Sequence, residues 1–411
     1  YDPVTTRANP ERAGQFIREP FPANRIPQAR INPVSLNVLK YWPAPNRPGE
    51  GPAAFNNYFK DARSLNRTHD WVTRIDHILS SKHRLFGRFN GRQANAFTSG
   101  LAVEDAAFIS RNISSTPARN ALVSVTSVFS PSLLGELRLS YVRLQTRNEW
   151  DGKGFDIASL GFPSSLVRAI RYNPFPSVSV SQYTSGTGLS VQRGTSLEVD
   201  SLGGGNRTLT PSDTWQLQYH VTWMKNRHKI KVGTDLQLVR LNSSSTNSPA
   251  GAYFFDRLYT QGPDPLLRSS TSGSGFASLL LGVPVSDRIS FDPALMASSK
   301  YYGFYFQDDV QLTRKLTANL GLRYEYATPF ADKFGQVGFF NFDGIEPVTG
   351  GKGTFQISQP GQYQTDPNKK NFSPRVGLAY RLTSNTVVRA AGAIFYAPTD
   401  SLNPGTSDWG N

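Results

Sequence analysis

The sequence predicts an all-β fold: an antiparallel up-and-down transmembrane β-barrel, present in part as about ten strands, with long extracellular loops. Three observations predict it. Segments of alternating apolar and polar residues come in pairs, short turns join the members of each pair, and long connections separate one pair from the next.

The clearest pair is Tyr301–Tyr326, YYGFYFQDDVQLTRKLTANLGLRYEY. Successive strand side chains point to opposite sides of a sheet, so Tyr302, Phe304, Phe306, Val310 and Leu312 share one face. Gly303, Tyr305, Gln307, Asp309 and Gln311 share the other. Beyond Thr313-Arg314-Lys315 the alternation resumes with Leu316, Ala318, Leu320, Leu322, Tyr324 and Tyr326. Folding about Arg314 pairs even residues with even ones, and the two apolar faces coincide. Each arm has about eleven residues, roughly what a tilted strand needs to cross a bilayer.

Four more hairpins obey the same rule. Trp71, Thr73, Ile75 and Leu79 precede Leu85, Gly87 and Phe89; Val123, Val125 and Phe129 precede a Ser130-Pro131-Ser132 turn and Leu137, Leu139 and Tyr141. Trp215, Leu217, Tyr219, Val221 and Trp223 precede Ile230, Val232, Leu236 and Leu238. A two-residue turn at Asn226-Arg227 then pairs Trp223 with Ile230 and Val221 with Val232. Val376, Leu378 and Tyr380 precede Val388, Ala390, Ile394 and Tyr396.

Turns within hairpins run about two to five residues and connections between them roughly 25 to 65. A barrel in the bacterial outer membrane has this asymmetry, with short periplasmic turns and long outer loops. The chain divides accordingly. Residues 1–68, rich in Pro, Asn and Arg, form a long extracellular loop segment with a helical turn or two near Pro33–Tyr41; residues 69–397 form the partial barrel; residues 398–411 begin a further loop.

Composition agrees. Mean hydropathy is −0.40 and no run approaches the ~18 apolar residues of a membrane helix, which excludes a helical membrane protein but not a barrel. There is no cysteine, hence neither a disulfide framework nor a thiolate metal site. The net charge of +14 is spread along the chain, which fits a solvated polar wall better than a nucleic-acid groove, and no nucleic-acid partner is expected. The start, Tyr1-Asp2-Pro3, shows no signal peptide, so the chain reads as an internal fragment.

Two faces follow. Trp71, Trp215, Tyr219, Trp223, Phe304, Phe306, Leu320 and Leu322 face lipid, with Trp215 and Trp223 bracketing a band roughly 20 Å tall as interfacial girdles. Arg74, Asp76, Arg88, Glu136, Arg138, Lys231, Asp235, Asp309, Arg323, Glu325, Arg375 and Arg389 face the lumen. No catalytic group, metal site or cofactor is expected, and the chain does not read as an enzyme. Asp308 and Asp309 point to opposite faces and cannot share a substrate. His69, His77, His83, His220 and His228 lack ligand spacing on one face. Gly203-Gly204-Gly205 lacks the Lys-Ser/Thr of a phosphate loop and reads as flexible.

The residues resemble a family. YYGFYFQDDVQLTRKLTANLGLRYEY is similar to a barrel hairpin of TonB-dependent outer-membrane receptors of the Oar-like branch. WVTRIDHILSSKHRLFGRFN (71–90), WMKNRHKIKVGTDLQ (223–237), GFASLLLG (275–282), NFSPRVGLAYRL (371–382), VVRAAGAIFYAP (387–398) and PFPANRIPQARINPVSLNVLKYWPAPN (20–46) carry the resemblance in the expected order. It implies a 22-stranded barrel with an N-terminal plug, coupled by TonB to energy from the inner membrane. Implied partners are outer-membrane lipid, the plug domain, the TonB complex and a bulky solute of unknown identity. Arg74, Arg88, Arg323 and Arg389 are expected to hold the plug. Tyr172, Tyr183, Tyr253, Phe254, Phe255 and Tyr259, on the long loops, are the candidate solute contacts. The alternative reading is a soluble β-rich glycan-binding or adhesion module, which would partition into water without detergent.

Overall fold

A computed structural model describes residues 1–49, 57–59, 64–98, 112–150, 154–170, 172–181, 201–203, 206–267, 272–290 and 294–396. Ten long strands build one antiparallel sheet: β1 (Ser64–Ile78), β2 (His83–Thr98), β3 (Asn112–Ser130), β4 (Leu133–Trp150) and β5 (Asn206–Lys225). It continues through β6 (His228–Asn247), β7 (Leu295–Gln311), β8 (Leu316–Ala327), β9 (Asn371–Arg381) and β10 (Val387–Ala393). Each strand pairs with its neighbours in chain order, and the two-residue strand Ala331–Asp332 adds to β7 as an eleventh member. Among the described residues β1 and β10 do not pair, so the sheet is open.

Register keeps one apolar face continuous across the wall. Val221 pairs with Val232 and Trp223 with Ile230, as the two-residue turn requires. Tyr302 pairs with Tyr326 about Arg314. One row runs Leu137, Tyr219, Thr234, Phe304, Tyr324 and Phe372 across six strands. Among the described residues no second protein layer covers that face: Trp215 is 51% exposed, Tyr219 39%, Leu320 44% and Leu322 48%. Apolar side chains in that arrangement are stable when hydrocarbon is their solvent.

The strands are longer than the alternation shows. β5 and β6 have 20 residues each, a height of about 50 Å at ~40° of tilt against an apolar band of about 25 Å. Their upper parts, such as Ser243–Thr246, pair above the band, half-buried or buried, where lipid no longer imposes an alternation.

The described parts of the long connections are folded. Pieces of three segments pack into one cap with its own core: Val38, Ile157, Leu160, Phe175, Val178, Val180, Leu202, Phe255 and Leu279 are all buried. A four-stranded sheet, in the order Ser286–Arg288, Ala252–Phe255, Ser177–Val180, Ser201–Leu202, lies against α1 (Pro33–Leu39), α2 (Ser164–Ala169) and α3 (Gly275–Leu281). Helix α1 begins at Pro33, where a missing N–H is harmless, and Asn32 Oδ1 accepts from Val34 N at 2.8 Å. Helix α3 is capped by Ser274 and ends at Gly282, whose φ of +69° suits glycine. Asn32 N donates to the Leu280 carbonyl at 2.7 Å, tying the two helices. Two resembling segments, PFPANRIPQARINPVSLNVLKYWPAPN and GFASLLLG, thus meet in one core, with Trp42 edge-on to Phe276 at 5.3 Å. Gly203 belongs to this packing, not to a flexible loop: it is buried at φ +66°, and a Cβ there would lie 1.7 Å from the Pro176 carbonyl. Gly204 and Gly205 lie outside the described residues, as do residues 398–411.

Candidate solute path and outer recognition surface

The inward face brings charged and polar residues from five strands together. Register aligns Glu136, His220, Gly233, Tyr305 and Arg323 in one row, and Arg138, Gln218, Asp235, Gly303 and Glu325 in the next. Arg323 is the hub. Its guanidinium donates to Glu325 Oε1 at 2.8 Å and to the Tyr301 hydroxyl at 2.7 Å, and stands 3.8 Å from Asp235. The Tyr301 hydroxyl in turn donates to Glu325 at 2.6 Å. Gln216 and Gln218 donate to the two Asp235 oxygens at 2.9 and 3.2 Å. Glu136 holds Arg138 at 2.5 Å, accepts from Ser124 at 3.1 Å and lies 3.4 Å from His220. Gly233 leaves room for the Tyr305 ring, since a Cβ there would come within 2.5 Å of the ring's end. Arg138, His220, Lys231, Asp235, Tyr305 and Arg323 surround a depression of about 240 Å³.

Arg323→Met removes the cation that Glu325 and Asp235 share. It is expected to destabilise the barrel by about 1–3 kcal/mol, the range for leaving a partly buried charged group without its partner. Urea unfolding in lipid vesicles, with Arg323→Lys as reference, measures it.

The other inward residues differ in how they are satisfied. Arg74 binds Asp76 on its own strand at 2.6 Å and lies over the Phe86 ring. Both partners are exposed, so the pair adds little stability. Asp309 accepts from Asn319 at 2.5 Å and from Gln307 at 3.2 Å. Arg375 stacks over Phe395 at 5.0 Å. Arg88, Lys231 and Arg389 make no salt bridge among the described residues. On the outward face Asp308 is largely buried and binds His228 Nδ1 at 2.6 Å near the turn. Among the described residues no group of three or more His, Cys, Asp or Glu could hold a metal ion.

The six loop aromatics fall in different places. Phe255 is buried in the cap core, so it packs the cap and is not positioned to meet a solute. Tyr253 is half-buried and stacks on Phe162 at 5.5 Å; Phe254 and Tyr259 are also half-buried. Tyr172 is exposed, with the Arg207 guanidinium 5.0 Å over its ring. Tyr183 lies outside the described residues. A second aromatic surface lies inside one of the long connections. The hairpin Gly338–Ile345 with Lys352–Ile357 sets Phe340 opposite Phe355 and leaves Phe340 52%, Phe342 75% and Phe355 69% exposed. Its signal, alternating GFFNF and TFQI, sits inside what reads as one long connection.

Burial, with a smaller push from Asp287, raises the Tyr253 phenol from 10.0 to about 12. A group whose proton is held more tightly when folded contributes stability below its unfolded value that is lost as pH rises through its folded one. The cap is therefore expected to weaken between pH 10 and about 12. In an alkaline absorbance titration, Tyr253→Phe should delete a tyrosine that ionises late; deletion of one ionising at the ordinary value would contradict this.

A wall that is apolar outside, charged inside and crowned by folded loops is an outer-membrane β-barrel. The chain belongs to the family described as outer membrane beta barrel domain, which matches residues 1–410, and it resides in the bacterial outer membrane. Similar solved structures include the ferripyoverdine receptor of the outer membrane of Pseudomonas aeruginosa bound to ferripyoverdine, at TM-score 0.43 and 10% identity, over 80% of this chain and 35% of that one. The ferric-catecholate import receptor Fiu from E. coli K12 matches at 0.40 and 12% identity, over 80% and 43%. The alcaligin outer-membrane receptor FauA from Bordetella pertussis matches at 0.38 and 11% identity, over 79% and 35%. The chain thus spans less than half the length of these three receptors. No curated protein matches the sequence significantly.

Proposed function

We propose that this chain is the wall of an energy-coupled, TonB-dependent receptor that moves a bulky solute across the outer membrane. The observation that carries the reading is the charged inner wall beneath a folded cap. A lumen lined by Arg138, His220, Lys231, Asp235 and Arg323 suits a hydrated path, and recognition resides on the loops that a rigid scaffold carries. The Oar-like assignment rests on the residue resemblance, and so do the division at residues 68 and 397, the plug and the TonB complex as partners. Solute contacts are assigned to Tyr172 and to the exposed face of Phe340, Phe342 and Phe355. The soluble-module alternative finds no support in a face that leaves so many large apolar side chains uncovered. The experiment compares uptake of labelled solutes too large for porins in cells with and without the gene, and again with TonB removed. Loss in both arms is expected; uptake that persists without TonB overturns energy coupling.

Arg74 and Arg323 already have carboxylate partners in the wall, so plug contact is assigned to three of the cations without them, Arg88, Lys231 and Arg389. Changing these three to Gln is expected to release the plug several-fold faster after its linker is cut. Unchanged retention with abolished uptake would place them on the solute path.

A further inference from the structure

The fold collects positive charge, scattered along the sequence, at the short-turn end. Within two residues of the turns 79–82, 131–132, 226–227, 312–315 and 382–386 stand Lys82, Arg84, Lys225, Arg227 and Lys229. Arg314, Lys315 and Arg381 complete the set, and no Asp or Glu falls in those windows. These eight cations compare with a net charge of +14 for the whole chain. All eight are exposed, and none makes a salt bridge among the described residues.

The turns also sit side by side. Arg227 Nη1 donates to the Leu312 carbonyl at 3.3 Å, Gln311 N to the Arg227 carbonyl at 2.9 Å, and Arg381 N to the Lys315 carbonyl at 2.8 Å. This holds Arg227, Arg314, Lys315 and Arg381 on one rim. The rim borders the apolar band directly. Lys225 Nζ lies 4.9 Å over the Trp223 ring, and Trp223 is paired with Ile230 and Leu133 on the outward face.

Cations that make no salt bridge within the described protein, beside an interfacial tryptophan at the edge of a lipid-facing wall, fit the phosphates of lipid headgroups. We infer that the short-turn rim binds anionic phospholipid headgroups of the periplasmic leaflet, chiefly through Lys225, Arg227, Arg314 and Lys315. An acidic protein or nucleic acid would need a basic surface clear of the bilayer, whereas Trp223 and Ile230 hold this one at its boundary. Lipid then neutralises the rim and fixes the depth at which the barrel sits.

The test uses the full chain folded into vesicles of phosphatidylcholine alone or with one-third phosphatidylglycerol, folding being checked by gel mobility before and after heating. Bound phosphatidylglycerol is counted by native mass spectrometry. Changing Lys225, Arg227, Arg314 and Lys315 to Gln is expected to weaken binding about fivefold per charge removed. The charge-keeping set Lys225→Arg, Arg227→Lys, Arg314→Lys and Lys315→Arg should restore it, and Gln at Arg7, Arg12, Lys333 and Lys352 in the outer segments should leave it unchanged. Inorganic phosphate should not displace the lipid. Equal loss from the outer set, no loss from the turn set, or displacement by inorganic phosphate each overturns the inference.

Discussion

Arginine at position 322 is expected to destabilise the folded barrel by about 2–4 kcal/mol, the depth-dependent penalty for a cation in mid-membrane. Leu322 faces outward between Phe306 and Pro374. It stands six residues above the start of β8 at Leu316, about 15 Å from the turn at ~2.5 Å per tilted residue. Leu320 is a poorer probe, because its register partner Asp308 would neutralise part of the new charge. Asn319→Arg, on the inward face beside Asp309, is the matched control and should stay within about 0.5 kcal/mol. Urea unfolding in vesicles measures both. If the two variants cost the same, water and not hydrocarbon covers the outward face.

Phe175→Ala should cost about 3–5 kcal/mol, but in the cap alone. The ring is 1% exposed, with Tyr41 at 4.9 Å and Phe155 at 5.0 Å, both edge-on. Its removal leaves a void in a core that is shielded from both lipid and water. Hydrogen exchange should speed up in residues 33–42, 155–170, 172–180, 250–255 and 275–281, while the slow exchange of β5 and β6 and the heat-dependent gel mobility remain. A barrel that melts together with the cap would show that the two are not separate cooperative units.

The wall was legible and the cap was not, for one physical reason. Lipid outside and water inside force a period of two on every membrane-crossing residue, so Trp223 against Ile230 and Tyr302 against Tyr326 could be read from the alternation. Above the bilayer that constraint ends, and Ser243–Thr246 continue the ladder without a pattern to announce it. In the cap, Val38, Ile157, Phe175 and Leu279 each sit in a short apolar stretch between Gly, Pro and Ser, and only their meeting in space makes them a core. This is why Phe255 reads as a loop aromatic when it is a core residue. It is also why charge spread along the sequence gave no hint of a rim: the five turns become neighbours only after the ribbons pair.

The cap has a consequence for the order in which the molecule assembles. Each ribbon of the wall joins residues close in sequence and neighbouring ribbons join at up to 223 − 133 = 90 positions, whereas the cap joins Val38 to Leu279, 279 − 38 = 241 positions apart. Closing so long a span yields nothing until both ends have arrived, so the wall zips first and the crown closes last. Until that late step, the side chains destined for its interior wait uncovered at the cell surface, which makes the crown, and not the wall, the stage at which assembly is most open to error.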